Sequence, residues 1–143
     1  MPETTEASRL DTLRTIPLFA ELPDEGLKRV LDRATEFEAG SGHTLVQPNH
    51  PGSGLFVIEE GSVVVELPAG RTVELGPGEF FGELALLDEG ALHVARVRAH
   101  GPVRCLAVSR DDFDALLAEE PSLALSMLRT LARRIAADTR HHS

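Results

Sequence analysis

The sequence predicts a mainly β protein, folded as a sandwich or barrel, with helices on both sides of the β-rich region. Between residues 36 and 108, short apolar segments alternate with turns rich in glycine, proline and asparagine, which is the pattern of many short strands. Apolar residues recur at helical spacing before and after this region. A chain of 143 residues can form one domain with a sizeable core.

The first helical pattern lies within segment 10–35, the predicted N-terminal helical part. Pro23 and the acidic residues after it suit a first helical turn, because proline needs no N–H partner there and carboxylates stabilise the positive end of the helix dipole. The residues predicted to face the core share the i, i+3, i+4, i+7 spacing of a helix with one buried face. They are Leu27, Val30, Leu31 and Ala34.

The predicted strands fill segment 36–108. They include residues 44–46, 55–58, 62–67 and 103–108. Aromatic residues are scarce, with six phenylalanines and no tryptophan or tyrosine, so the strands must pack mainly through aliphatic side chains. Cys105 lies in the last of these strands and is predicted to be a small core residue.

Two helices are predicted in segment 109–140. The Ser109 hydroxyl is placed to cap the first helix, and Pro121 is well placed to begin the second. An apolar stripe on the second helix either packs on its own barrel, which is the commoner case, or forms the seam of a homodimer. This stripe consists of Leu125, Leu128, Leu131, Ala132 and Ile135.

The composition argues against several classes of function. The formal net charge of −9 disfavours non-specific nucleic-acid binding and attachment to an anionic membrane. A single cysteine excludes an internal disulfide and fits a reducing compartment, and no apolar run approaches the length of a membrane span. The predicted location is therefore the cytoplasm. The six histidines lack the spacing of metal ligands and no nucleophile motif occurs, so neither a metal site nor catalysis is expected.

Residues 80–86 are the most informative segment for function. Their sequence, Phe-Phe-Gly-Glu-Leu-Ala-Leu, follows a turn-like Gly-Pro-Gly and is predicted to open a short helix. The first N–H groups of a helix have no internal partner, so they can hold an anion such as a phosphate. Gly82 lets a ligand approach the backbone, and the Glu83 carboxylate can accept hydrogen bonds from a sugar hydroxyl. Alternatively, Glu83 caps the short helix without touching a ligand.

Residues 81–86 resemble the phosphate-binding cassette of cyclic nucleotide-binding domains. Residues 18–23, before the barrel, and residues 55–65, which resemble the family's central hairpin, follow the same family order. The resemblance covers roughly residues 10–140. It implies a double-stranded β-helix, which is a jelly-roll-like barrel, with an N-terminal helix and C-terminal helices.

The resemblance implies a single domain over residues 1–143. Its parts are the N-terminal helical segment 10–35, the barrel 36–108 with the cassette at 80–99, and the C-terminal helices 109–140. In the family, the cassette glycine and nearby amides bind the cyclic phosphate, and the glutamate binds the ribose 2′-hydroxyl. The ligand-binding residues that the resemblance implies are Phe81, Gly82, Glu83, Leu84, Ala85, His93, Val94 and Ala95.

The second half of the cassette departs from the family pattern. His93 stands where the family has a phosphate-binding arginine, and Val94 stands where it has a small residue that often bears a hydroxyl. Arg96 and Arg98 lie at odd offsets from His93 along the predicted strand, so alternation places them on the opposite face. Histidine is only partly charged near pH 7 and lacks the planar fork of arginine. We therefore expect cyclic AMP binding to be weakened.

These observations favour a non-enzymatic signalling module that requires no cofactor, senses a cyclic nucleotide (cyclic AMP first) and changes a surface that binds a partner protein. Two alternatives stay open. One is a degenerate domain that has lost the ligand and serves as a protein–protein interaction module; the other is a receptor for a different anion, such as a cyclic dinucleotide. The bacterial regulators that this chain resembles carry a DNA-binding domain after this one, and the chain stops at Ser143, so we expect no sequence-specific DNA contact.

Overall fold

A computed structural model describes residues 6–46, 54–67, 70–81 and 96–142 of the chain. Within these ranges the helices are α1 (Glu6–Arg14), α2 (Asp24–Arg33), α3 (Arg110–Glu119) and α4 (Pro121–His142). The strands are β1 (Ala34–Ala39), β2 (Thr44–Val46), β3 (Gly54–Glu66), β4 (Thr72–Leu75), β5 (Phe80–Phe81) and β6 (Arg96–Ser109). The predicted order of N-terminal helices, strands and C-terminal helices is confirmed. None of the helices in these ranges is long and apolar enough to span a membrane.

The long antiparallel strands β3 and β6 each take part in both layers of the barrel. Residues 54–58 of β3 pair with β5 and with the last residues of β6, and β1 extends this layer on the other side of β6. Residues 62–66 of β3 pair with β4 and with the first residues of β6, next to β2. The two layers therefore run β1-β6-β3-β5 and β2-β6-β3-β4, which is the jelly-roll-like arrangement that the sequence predicts.

Glycines with positive φ lie where β3 and β6 pass from one layer to the other. Gly61 has φ of +85° and Gly101 has φ of +82°, values that residues with a Cβ rarely adopt. The register between β3 and β6 shifts twice, once on each side of Glu60. The predicted central hairpin over residues 55–65 is wrong, because the two halves of β3 pair with β6 rather than with each other.

The strands separate two hydrophobic cores. One core lies between the first layer and the helices, where Leu55 and Val57 of β3 meet buried residues of α1, α2, α3 and α4. The other lies between the two layers and includes Ile58, Val63 and Cys105. Alternate residues of a strand face opposite sides, so one strand supplies both cores.

The helix boundaries confirm two sequence predictions and correct one. Ser109 caps α3, since its Oγ accepts a hydrogen bond from the Asp112 N–H at 3.2 Å, and α4 begins at Pro121. Ala34 was predicted to continue the helical face of α2, and that prediction is wrong. Its N–H still donates to the Val30 carbonyl, but its backbone is extended and it pairs with Val108 as the first residue of β1.

We expect the Gly61→Ala variant to be much less stable than the Gly101→Ala variant. Both substitutions force a Cβ into positive φ, which costs about 1–2 kcal/mol. At Gly61 the new Cβ would also lie 2.3 Å from the Pro102 carbonyl oxygen, whereas at Gly101 it meets nothing within 4 Å. Urea unfolding should show a loss of about 3 kcal/mol or more for Gly61→Ala. Equal losses for the two variants would contradict this description of the β3–β6 crossing.

Candidate functional site

The side chains between the two layers form an apolar surface, which we call the inner face. Val63 and Ile58 of β3 are fully buried in it, and Leu45, Val65, Phe37 and Phe56 pack against it while partly buried. The remaining buried members are Leu75, Phe81, Val97, Ala99, Val103 and Cys105. A surface of this kind can hold the apolar part of a small molecule, with polar groups supplied from its rim.

Phe81 joins the inner face to the cassette. It pairs with Phe56 across β5 and β3, and the two rings stack with centroids 5.0 Å apart and planes inclined by 11°. The Phe37 ring lies 6.2 Å from the Phe56 ring, so three aromatic rings form one wall. Phe81 is the one predicted ligand-binding residue within the described ranges. The other seven, Gly82, Glu83, Leu84, Ala85, His93, Val94 and Ala95, lie outside them, and their roles stay predictions.

The inner face is open at one end. In the second layer, Val63 pairs with Leu75 on one side and with Ala99 on the other. All three residues of this row are buried. Val73 lies two residues before Leu75 in β4, so it faces the same side, and it pairs with Val65. Val73 is nevertheless 40% exposed, against 9% for Leu75. The row formed by Val73, Val65 and Val97, which we call the open row, therefore meets solvent at its Val73 end, while Val97 at its other end is buried.

The open row was not among the sequence-predicted site residues. Alternation within β4 would have placed Val73 on the side of Leu75, but the side that Val65 faces depends on the register shifts around Glu60. These shifts put Val65 on the same face as Phe56, although the two residues have opposite parity in the chain. The sequence contains no explicit signal for this change of face.

Cations near the open row lie on the outer side of the sheet. Arg96 and Arg98 are exposed and alternate with the buried Val97 and Ala99. The Arg98 guanidinium lies 3.4 Å from the Glu66 carboxylate, in a groove of about 270 Å³. The prediction that these arginines face away from residue 93 stays a prediction, because residue 93 is outside the described ranges. Both arginines do point away from the inner face.

The described part of the inner face contains no ionised group that could bind a phosphate. The Cys105 thiol lies in it, and burial, with a smaller effect from the Glu59 carboxylate, raises the pKa of that thiol to about 11. The thiol is therefore neutral near pH 7, as predicted for a small core residue. Charge for an anionic ligand has to come from the backbone or from the cassette.

Two layers of antiparallel strands with an apolar inner face between them define a jelly-roll-like β-barrel domain. A family model described as cyclic nucleotide-binding domain matches residues 36–120. The chain belongs to the cyclic nucleotide-binding domain family.

Three relatives illustrate the similarity. A cyclic nucleotide-gated potassium channel of Mesorhizobium japonicum is 36% identical over 123 residues, which make up 85% of this chain and 34% of the channel. The CRP-like cAMP-activated global transcriptional regulator of Mycobacterium tuberculosis is 32% identical over 99 residues, or 66% of this chain and 44% of the regulator. The chain thus spans less than half the length of either protein. The crystal structure of the Thermus thermophilus catabolite activator protein matches 87% of this chain and 61% of that one, with 30% identity and a TM-score of 0.77.

Adjacent valines of β3 offer a matched test of the inner face. Val65 packs on the inner face, whereas Val64 lines the outer groove, and both are partly buried. We expect Val65→Glu to lower the free energy of unfolding by about 2–3 kcal/mol, because a carboxylate would be placed among apolar side chains without a partner. Val64→Glu should cost less than about 1 kcal/mol, because its carboxylate can reach solvent. Urea unfolding would contradict the assignment of faces if Val64→Glu were the more damaging change.

Proposed function

We propose that this chain is a sensor of a cyclic nucleotide, with cyclic AMP the first candidate, and that it acts without catalysis or a required cofactor. The proposal rests on one observation above all: Val65 and Val97 of the open row belong to the same apolar core as Phe81, a residue of the cassette. The base of the nucleotide would lie on the apolar inner face. The ribose and phosphate would then meet the cassette.

Each predicted cassette residue has a role in this proposal. Gly82 and the amides of Leu84 and Ala85 would bind the cyclic phosphate, because helix N-terminal amides lack internal partners. Glu83 would accept a hydrogen bond from the ribose 2′-hydroxyl. Phe81 would hold the start of the cassette through its stack on Phe56. The segment just before β6, which consists of His93, Val94 and Ala95, would cover the ligand from the side of that strand.

The names of two relatives support this choice of ligand. The Mesorhizobium channel is described as gated by cyclic nucleotides, and the Mycobacterium regulator as activated by cyclic AMP. The formal net charge of −9 disfavours DNA or an anionic membrane as the partner and favours a protein. The single cysteine, buried and free, fits a cytoplasmic location.

His93 gives the proposal its pH dependence. A bound phosphate favours the imidazolium form, so ligand binding should raise the pKa of His93 above its free value of about 6.5. Affinity is therefore highest below that free value and is lost as the pH rises through the raised pKa of the complex. Between pH 6 and pH 8 we expect the affinity for cyclic AMP to fall on the order of tenfold.

Calorimetric titration of the parent and two variants tests this role. His93→Arg should bind cyclic AMP more tightly than the parent and almost equally at pH 6 and pH 8, because arginine stays charged. His100→Arg is the matched control, since His100 lies exposed on the outer side of the sheet beside Glu74. It should leave both the affinity and its pH dependence unchanged. A parent whose affinity does not vary with pH would contradict the role of His93.

The two alternatives predict other outcomes of the same titration. If neither the parent nor His93→Arg binds cyclic AMP or cyclic GMP at millimolar concentration, the domain is an interaction module that has lost the ligand. If the parent binds a cyclic dinucleotide instead, the cassette serves a different anion. We favour cyclic AMP because both Gly82 and Glu83 are present.

We also propose that α4 forms the seam of a homodimer. In the part of the chain that the structure describes, large exposed hydrophobic side chains are Val73, Leu125 and Leu128, and two of the three lie on α4. Leu128 is 63% exposed and Leu125 is 46% exposed, one turn apart on the same helix. Two such helices could cover each other's Leu125 and Leu128, whereas Leu131 of the predicted stripe packs against the molecule's own helix-side core.

Sedimentation equilibrium of a Leu128→Glu variant tests the dimer. We expect the parent to associate at micromolar concentration and Leu128→Glu to be monomeric, because the substitution would bury a carboxylate opposite its own copy. The control is Ala118→Glu, at an exposed position on α3 outside the stripe, which should associate like the parent. A parent that stays monomeric at high concentration would contradict the seam.

A further inference from the structure

Glu120 is a buried carboxylate at the elbow between α3 and α4. The residue is 7% exposed, and it is the single residue between the end of α3 and Pro121, which begins α4. Its N–H donates to the Leu116 carbonyl, so the elbow is fixed to the last turn of α3. A carboxylate in such a position needs a charged or hydrogen-bonding partner.

Helix α2 accommodates this carboxylate at Gly26. A Cβ built on Gly26 would lie 2.9 Å from the Glu120 Cδ atom and about as close to both carboxylate oxygens. The φ angle of Gly26 is not positive, so its backbone conformation is one that residues with a Cβ also adopt. Glycine is also a poor helix former. Its place in the first turn of α2 is explained by the Glu120 carboxylate, which occupies the space where a side chain would lie. We call this space the socket.

Charged residues of α2 hold the elbow in the socket. Arg29, one turn after Gly26, forms a salt bridge with the Glu120 carboxylate. One further turn on, Arg33 donates to Asp112 at 3.0 Å and to Glu119 at 3.1 Å, both on α3. The spacing of these residues along α2 places them on one face of that helix.

A second contact ties α4 to the N-terminal half of the chain. Arg129 of α4 lies 3.2 Å from the Glu21 carboxylate, in the segment between α1 and α2. Arg129 is about half exposed, so solvent screens this ion pair. In the socket, the Glu120 side chain is 9% exposed and that of its partner Arg29 is 44% exposed, so solvent screens this ion pair at its arginine end alone.

We propose that the socket is a latch, in which Glu120 seated against Gly26 and Arg29 holds the α3–α4 elbow on α2. Displacing the carboxylate weakens the docking of α4, whose Leu123 and Met127 also pack in the helix-side core, while the barrel stays folded. The latch would thus set the fraction of molecules in which α4 is docked. This inference does not require that a nucleotide binds, so it stands or falls separately from the proposed function.

The Gly26→Ala substitution separates the latch from ordinary helix energetics. Alanine is a better helix former than glycine, so helix propensity alone predicts a more stable α2. The latch predicts the opposite for α4: the new methyl displaces Glu120, and amide hydrogen exchange in residues 122–133 should rise on the order of tenfold. Exchange in residues 103–108 of β6 should stay as in the parent, which distinguishes release of α4 from general destabilisation.

Two further variants complete a double-mutant cycle. Glu120→Ala empties the socket and should raise amide exchange in residues 122–133 by itself. In that background Gly26→Ala should add no further increase, because no carboxylate is left to displace. Gly40→Ala is the control for the glycine change, since a Cβ there meets nothing within 4 Å. It should leave exchange in α4 unchanged.

Arg29→Gln tests the latch without altering the socket's volume. It removes the charge that faces Glu120, and amide exchange in residues 122–133 should again rise. Lys28→Gln, at an exposed neighbouring position, should have no effect. The latch is contradicted if Gly26→Ala slows or does not change exchange in α4, or if the effects of Gly26→Ala and Glu120→Ala simply add. Unchanged exchange in Arg29→Gln would contradict it as well.

Discussion

β3 and β6 pair with each other along almost their whole length, and both strands cross from one layer of the barrel to the other at the same place. Gly61 and Gly101 provide the positive φ values at that crossing. Because each strand belongs to both layers, the layers cannot be assembled separately. The position of every other strand follows from its partner in this pair: β1 and β2 lie beside β6, and β4 and β5 lie beside β3.

The same pair explains why the molecule has two cores with different roles. In the first layer, one side of β3 and β6 faces the helices and the other faces the second layer. The helix-side core fixes α2, α3 and α4, where the socket lies, while the inner face includes Phe81 and two valines of the open row. A ligand at the open row and the elbow at Gly26 are thus on opposite sides of shared strands.

Local rules predicted the parts of the fold that depend on neighbouring residues. The Ser109 cap and the start of α4 at Pro121 follow from short-range hydrogen bonding and from the fixed φ of proline. Long-range pairing decided the rest. Ala34 belongs to β1 because Val108 pairs with it, and Val65 reaches the inner face because the register shifts near Glu60. Arg29 and Glu120 are 91 residues apart, a contact that no periodicity indicates. The cassette residues after Phe81 rest on sequence resemblance alone.

Nuclear magnetic resonance titration with cyclic AMP would test the central claim, that ligand binds where the inner face opens. In ¹⁵N-labelled protein, we predict that the amides of Phe81, Val65, Val73 and Val97 shift, while His100 and Val64 on the outer side change little. Shifts confined to the outer groove, or no shifts at millimolar cyclic AMP, would contradict the claim.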